Sequence, residues 1–380
     1  HRPGGRQVQL CRLRVRETRG NEVKEYNYAF NALNNSWTLD YPGGSRADEM
    51  LAEINGSIRE QTRIVRSATG SPVYQVKETY RTFPWGEALV EVKEGDDANP
   101  KTTTYTYGNI GFANGSVLPL QQTDYPDGSW ERNEYDDRGR TTFTFSVFGN
   151  QPPTSEPALC RATAYDYTPL LGSGDDGTLE PYTPRTIVES LLGNEVGRRY
   201  QVIKPGEKRE IRCQTPGAPW TATDNLVTVT RYYLSGTQAG KVQSLKNPDG
   251  TMTFYEYVNQ SDGTQKTTVS SGQPNAAETG IVNGTRTVTV IGAIGQMMSQ
   301  TRIDIASNIT LASDTGSNFD EFKRPRRTTY LDGTFTDVNF ACCGIDNTAD
   351  RGGTVTQFWY DNLKRQVAST RNSITLTNVL

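Results

Sequence analysis

One unit keeps returning along this 380-residue chain: a tight polar turn, a strand-like run opened by a basic residue, an Asp-Gly turn, and a second strand-like run. Five segments set a basic residue just before a strand and a turn residue eight or nine positions later. They run from Arg140 to Gly149, Arg198 to Gly206, Lys241 to Gly250, Arg324 to Gly333 and Arg365 to Ser373. The runs between turns alternate with period two, as in KTTTYTY at Lys101–Tyr107, TMTFYEY at Thr251–Tyr257 and TVTQFWY at Thr354–Tyr360. Such alternation gives each strand one apolar and one polar face. A hairpin of this size cannot bury its apolar face alone, so successive hairpins must join one extended sheet. The expected class is all-β: an antiparallel sheet of repeated β-hairpins.

Composition supports this reading. Nineteen Tyr, 12 Phe and 5 Trp are too many for a disordered chain, although only 34% of residues are hydrophobic. The expectation is therefore a folded sheet that is wet on one face. A formal charge of −3 excludes a chain that is basic overall, so nucleic acid is not an expected partner. No run approaches the ~18 apolar residues of a membrane-spanning helix. The first residue is His and the last run, Ile374–Leu380 (ITLTNVL), reads as an uncapped strand, so the chain is expected to be a piece of a longer polypeptide. Residues 1–100 form a β-rich region that is only faintly repetitive; residues 101–380 carry the repeats.

The turns at Asp127-Gly128, Asp249-Gly250, Asp262-Gly263 and Asp332-Gly333 suggest two-residue type I′ hairpins, in which both central residues have φ > 0. Gly139 is expected at a φ > 0 position that closes the turn opened by Tyr135. Helical signals are sparse: Ala47–Ile54 is a short candidate and Ile187–Leu192 a weaker one. The richest loops are Gln151–Pro157, Pro169–Pro184 and Thr215–Thr223.

At its turns the chain resembles a known family. Tyr135-Asp136-Asp137-Arg138-Gly139-Arg140, followed by a strand, an Asp-Gly-Thr/Ser turn and a second strand, is similar to the YD repeat of RHS-repeat proteins, a family with bacterial, teneurin-like and toxin-complex members. Tyr360, Asp361 and Arg365 repeat the signature with Lys364 in the Gly position. Phe319, Asp320 and Arg324 repeat it with Phe for Tyr and Lys323 for Gly. Asp249-Gly250 and Asp332-Gly333 supply the second turn. The resemblance covers roughly residues 120–370, with gaps. It implies that the antiparallel sheet of β-hairpins coils into part of a hollow shell or barrel-like solenoid, a structural segment of a larger secreted or cell-surface bacterial protein that encloses or presents a C-terminal effector. The family's C-terminal core and its self-cleavage Asp residues are not legible in this sequence, so no protease activity is expected.

Other chemistry is thin. The one His, at position 1, argues against His-based catalysis and multi-His metal sites, and five Cys at wide spacing form neither a zinc pattern nor a dense disulfide framework. No catalytic residue, cofactor or metal is expected. The pairs Asp96-Asp97, Asp136-Asp137 and Asp175-Asp176 read as turn residues, since Asp bonds its own nearby backbone. Cys342-Cys343 can form a vicinal disulfide, bind a metal or occupy a tight corner; the corner is the preferred reading. The basic runs Arg12–Arg16 and Lys323–Arg327 read as solvated strand surface. Carbohydrate binding is the alternative function, with Trp85 and Trp220 as candidate glycan contacts because both lie in loops. Trp130 and Trp359 lie in strands and are expected to pack.

Overall fold

The computed structural model describes residues 11–19, 22–31, 36–41, 46–95, 98–108, 120–341 and 344–377; the side chains of residues 11–24 and 48–55 are outside the description. The described chain is all-β. Its strands belong to one open antiparallel sheet, and the helical content is two 3-10 turns, Pro157–Leu159 and Gly236–Gln238.

The chain divides into two compact units. The first comprises residues 1–168, 182–199 and 215–218; the second comprises 169–181, 200–214 and 219–380. In the first, consecutive strands from Cys11–Arg19 to Thr186–Leu191 pair with their neighbours as a meander, for example Trp130–Tyr135 with Thr141–Ser146 and that strand with Arg161–Asp166. In the second, the meander runs from Glu207–Arg212 to Ile374–Thr377. Neighbour-to-neighbour pairing follows from the short connections, because a turn of a few residues can only fold a strand back on the one before it.

Both helix candidates are strands. Ala47–Ile54 falls within the strand Arg46–Asn55, which pairs with Ser36–Asp40 on one side and Ile58–Arg66 on the other. Eight residues are too few for a self-standing helix, and here the backbone groups of two adjacent strands offer a full ladder instead. Ile187–Leu192 overlaps the strand Thr186–Leu191, whose Thr186, Ile187 and Val188 favour extended backbone.

The core lies where long loops return onto the sheet. In the first unit, Trp130 and Phe145 are 2% and 1% exposed and pack with Cys160 and Ala162. Trp130 reaches Gln151, in the loop between two strands, donating Nε1–H to its carbonyl at 2.8 Å. In the second unit Tyr200, Val202 and Ile211 are buried under Leu170 and Trp220, which come from the loops 169–184 and 215–223. Among the described residues eleven apolar side chains are buried, against twenty-seven large apolar ones that are exposed.

Candidate functional site

The repeat signature resolves into one backbone turn used in two ways. In the turn at Tyr135–Arg140 the N–H of Gly139 donates to the carbonyl of Asp136 at 3.0 Å, and the N–H of Asp136 donates to the carbonyl of Arg140 at 2.9 Å. The same pair of bonds closes Asp320–Arg324 and Asp361–Arg365, and also Asp350–Thr354. The fourth residue is left-handed each time: Gly139 has φ +78°, Lys323 +59°, Lys364 +66° and Gly353 +80°.

The Asp-Gly turns have this backbone too, which corrects the type I′ expectation. Gly128 donates to the carbonyl of Tyr125 at 3.0 Å, and Tyr125 donates to that of Ser129 at 2.9 Å. Only the glycines have positive φ, from +81° to +83° at Gly128, Gly250, Gly263 and Gly333. The loop therefore has three residues: a type I turn followed by a left-handed glycine that forms a bulge. Proline explains the choice at Pro126 and Pro248: it has no N–H to donate across a two-residue hairpin, and its fixed negative φ suits the first central position of a type I turn. Paired left-handed residues occur at Leu192-Gly193 and Asn372-Ser373 instead.

Side chains lock the two versions differently. Asp136 Oδ1 accepts the N–H groups of Arg138 and Arg140 at 3.0 and 2.9 Å, while Oδ2 accepts Arg140 Nε–H at 2.7 Å. Asp320 does the same with Phe322 and Arg324, and Asp361 with Leu363 and Arg365. In the Asp-Gly turns, Asp127, Asp249, Asp262 and Asp332 each accept the N–H two residues on at 2.9–3.0 Å. Each also accepts the hydroxyl of that Ser or Thr at 2.6–2.7 Å.

Their titration follows. Burial pushes the Asp136 carboxyl upward, but the backbone and guanidinium N–H groups of Arg140 outweigh it and hold the group below the ordinary Asp value. Asp320 has the same balance. At Asp361 the Arg365 backbone N–H is the main cause of the lowering. At Asp127, Asp249, Asp262 and Asp332 the neighbouring hydroxyl is.

The signature Tyr and Arg reach beyond the turn. Tyr135 donates its hydroxyl to the carbonyl of Leu120 in the preceding strand at 2.7 Å, and Tyr360 does so to Ile345 at 2.9 Å. Tyr107 to Leu89 and Tyr167 to Thr141 repeat the bond, both at 2.9 Å. Each tyrosine thus satisfies a carbonyl of the preceding strand beyond the last pair of the ladder between the two strands. The basic residue faces forward. Arg140 lies over Tyr167 at 4.2 Å, Lys241 over Tyr257 at 4.7 Å and Arg324 over Phe340 at 4.0 Å. In all three the ring is the residue that falls opposite the cation when the strand register is continued three residues past its last pair. These aromatic partners escape the sequence, because only the register identifies them.

The two candidate glycan contacts sit in packed surroundings. Trp85 is stacked on Phe83 at 5.0 Å and lies 5.7 Å from Tyr107. Its Nε1 is buried without a hydrogen-bond partner among the described residues. Trp220 packs against the second core. Trp130 is buried as expected, whereas Trp359 is 53% exposed and Trp37 44%. In the run Lys323–Arg327, Arg324 is ion-paired with Asp320 and Arg327 with Asp337, both at 2.7 Å. Asp175 Oδ2 accepts the N–H of Ile203 at 2.8 Å, and Asp176 Oδ1 that of Thr178 at 3.0 Å. Cys342, Cys343, Asp96, Asp97 and the side chains of Arg12–Arg16 lie outside the described residues.

No family model matches the chain, and no curated protein does. Among solved structures it is similar to a porin-like protein from Bacteroides uniformis, at 12% identity over 66% of this chain and 94% of that one, with a TM-score of 0.26. It is also similar to the Tc holotoxin pore of Photorhabdus luminescens, at 11% identity and a TM-score of 0.19. A TcdB2-TccC3-Cdc42 complex follows at 10% identity and 0.17. The two toxin matches cover 86% of this chain but only 23% and 21% of theirs. At TM-scores this low, the fold assignment rests on the chain's own strand pairing.

Proposed function

We propose that the chain is a structural YD/RHS-repeat segment of a larger secreted or cell-surface bacterial polypeptide, its sheet forming part of a β-shell that encloses or presents an effector. The observation that carries this reading is the repeated turn, with its Asp–Arg lock and its forward cation–ring contact, in a sheet on which twenty-seven large apolar side chains are exposed among the described residues. Each unit couples to the next strand rather than to a core of its own, which is how a repeat array extends. Exposed apolar surface on this scale calls for further protein to cover it. The strand Ile374–Thr377 fits the same picture, with Ile374 and Leu376 68% and 67% exposed. The reading assigns the chain no catalytic step, no cofactor, and no nucleic-acid partner. No helix among the described residues is long and apolar enough to cross a membrane.

Electron microscopy of the polypeptide extended through further repeats tests the proposal. A curved, hollow sheet is the expected image, with less binding of an apolar dye per residue than the 380-residue chain shows alone. A compact sandwich, or dye binding that extension leaves unchanged, overturns it.

A further inference from the structure

A hairpin arm overhangs the sheet in the second unit. The strands Gln265–Pro274 and Ile281–Ile291 pair with each other and extend past the row in which Lys246, Met252, Gly272 and Gly284 stand opposite one another. Two features bend the arm at that row. A Cβ on Gly272 would collide with the carbonyl oxygen of Asn283, and one on Gly284 with that of Ser271, so the backbones approach as only glycines allow. Their φ values, +145° and +148°, also lie in the range that favours glycine. The ladder then shifts between Gln273 and Pro274, where proline has no N–H to give it.

Beyond the bend, the tip comes back toward the sheet. Glu278, left-handed at φ +52°, is ion-paired with Lys246 two strands away, Oε1 to Nζ at 2.5 Å. The hydrogen bond from Lys246 holds the Glu278 carboxyl below the ordinary Glu value, helped by the charges of Lys246 and of Arg231, one strand further on. Lys246, Ser244 and Met252 share a face of the sheet, since opposite residues and residues two apart point the same way. That face is closed: Ser244 is 3% exposed and Met252 0%. Of the non-glycine residues described between 219 and 380, only these two and Ala368 are buried.

From this we infer that residues 273–283 are a hinged strap, bent at the Gly272–Gly284 pair and held over Met252 by the Lys246–Glu278 latch, and that loss of the latch uncovers this face. Glycine permits the bend without enforcing it, so a contact at the far end has to select the closed position. The side chains of Lys246 and Glu278 are 34% and 38% exposed, and a pair so open to water contributes little and is screened by salt. The latch therefore sets a population of closed straps, which screening or neutralising it shifts. The rest of the sheet keeps its ladders, because the arm lies beyond the last pair, Met252 with Gly272. The strap is independent of the shell reading, since no further repeat contributes to it.

Methionine oxidation of the full chain by dilute hydrogen peroxide, followed residue by residue through peptide mass mapping, tests the inference. Met297, 46% exposed, is the internal reference. In low salt Met252 should react roughly tenfold or more slowly than Met297, as its burial dictates. Salt at about 1 M, which cuts the screening length to about 3 Å, should raise the Met252 rate roughly two- to fivefold and leave Met297 unchanged. Glu278→Gln and Lys246→Ala should each do the same in low salt. Circular dichroism melts check that both variants stay folded, and the salt measurement needs no variant at all. The inference is overturned if Met252 of the wild type reacts as fast as Met297, or if any one of salt, Glu278→Gln and Lys246→Ala leaves Met252 as protected as before.

Discussion

The repeat opening at Tyr135 and the repeat opening at Tyr360 share a turn and differ in almost everything around it. Asp136 and Asp361 each accept two backbone N–H groups and an arginine Nε–H, and Tyr135 and Tyr360 each tie down a carbonyl of the preceding strand. Yet the strands flanking the first turn carry Trp130 and Phe145, both buried, while those flanking the second carry an exposed Trp359. Loop length accounts for the difference. After Thr141–Ser146 the chain makes a long Pro-rich excursion that brings Cys160 back onto Phe145. After Gln366–Arg371 it turns in two residues, Asn372 and Ser373, straight into the strand Ile374–Thr377, with no long loop between them. The turn is therefore a local device that specifies the hairpin, and burial is a separate property conferred by loops.

The strongest way to break that separation is to remove an apolar side chain from each region. Phe145→Ala should cost about 3–5 kcal/mol, the usual range for emptying an aromatic site in a packed core. Trp359→Ala, on an exposed strand face, should cost roughly 1 kcal/mol or less. Urea titrations of the two variants, compared through their midpoints, measure this. Equal losses would mean that the second region has a core that the exposure of Trp359 conceals.

How much of this was legible in the sequence follows the same division. Positions of turns and strands were readable, because Asp, Gly and alternating Thr act locally. The type of the Asp-Gly turn differs from the expectation at Pro126 and Pro248, which lack the N–H that the first residue of a two-residue hairpin donates and instead open a type I turn. The helix expectation at Ala47–Ile54 failed because a short amphipathic pattern does not reveal that strands lie on both sides of it. Non-local contacts were the hidden part. Nothing near Arg324 in sequence points to Phe340, sixteen residues away and opposite it only once the register is set. Trp220 and Trp359 exchanged their expected surroundings for the same reason: a loop residue packs when its loop folds back, and a strand residue is exposed when no loop does.

A second pair of variants compares the locks. The side chains of Asp136 and Arg140 are 19% and 17% exposed, against 23% and 34% for Asp361 and Arg365. Asp136→Ala leaves a largely buried guanidinium and two backbone N–H groups without their acceptor, which should cost about 2–3 kcal/mol. Asp361→Ala should cost less, since water reaches its arginine more easily. A fluorescence-monitored denaturant titration of both resolves the order, and a larger loss for Asp361→Ala would reverse the argument.

Acid should act on the same locks. Asp136, Asp320 and Asp361, with the four aspartates of the Asp-Gly turns, have folded pKa values lowered from 3.8. A lowered carboxylate contributes stability that is fully present above its unfolded value and is lost as pH falls through its folded one. Melting temperature should therefore hold above the ordinary Asp value of 3.8 and drop as pH is taken below it. The drop should be shallower in Asp136→Asn, which removes one of the titrating groups. A melting temperature that declines only at neutral pH, or a drop of equal steepness in the variant, would detach acid stability from the turns.

The smallest expected effect is the one that tests the turn most directly, because it changes nothing but backbone preference. Position four of the turn is left-handed whether Gly139 or Lys364 occupies it. A side chain there costs roughly 1 kcal/mol, since Cβ crowds the following carbonyl, whereas glycine has no such contact. The two positions should then respond in opposite directions. Gly139→Lys should destabilise by about 1 kcal/mol, with a β-branched Gly139→Val worse. Lys364→Gly should stabilise by somewhat less, because glycine also gives the unfolded chain more freedom to lose. Midpoints measured at constant denaturant dependence report both changes. If Lys364→Gly loses stability, then the lysine side chain contributes more through its own contacts than its backbone conformation costs, and the fourth position is not the interchangeable element that the shared geometry implies.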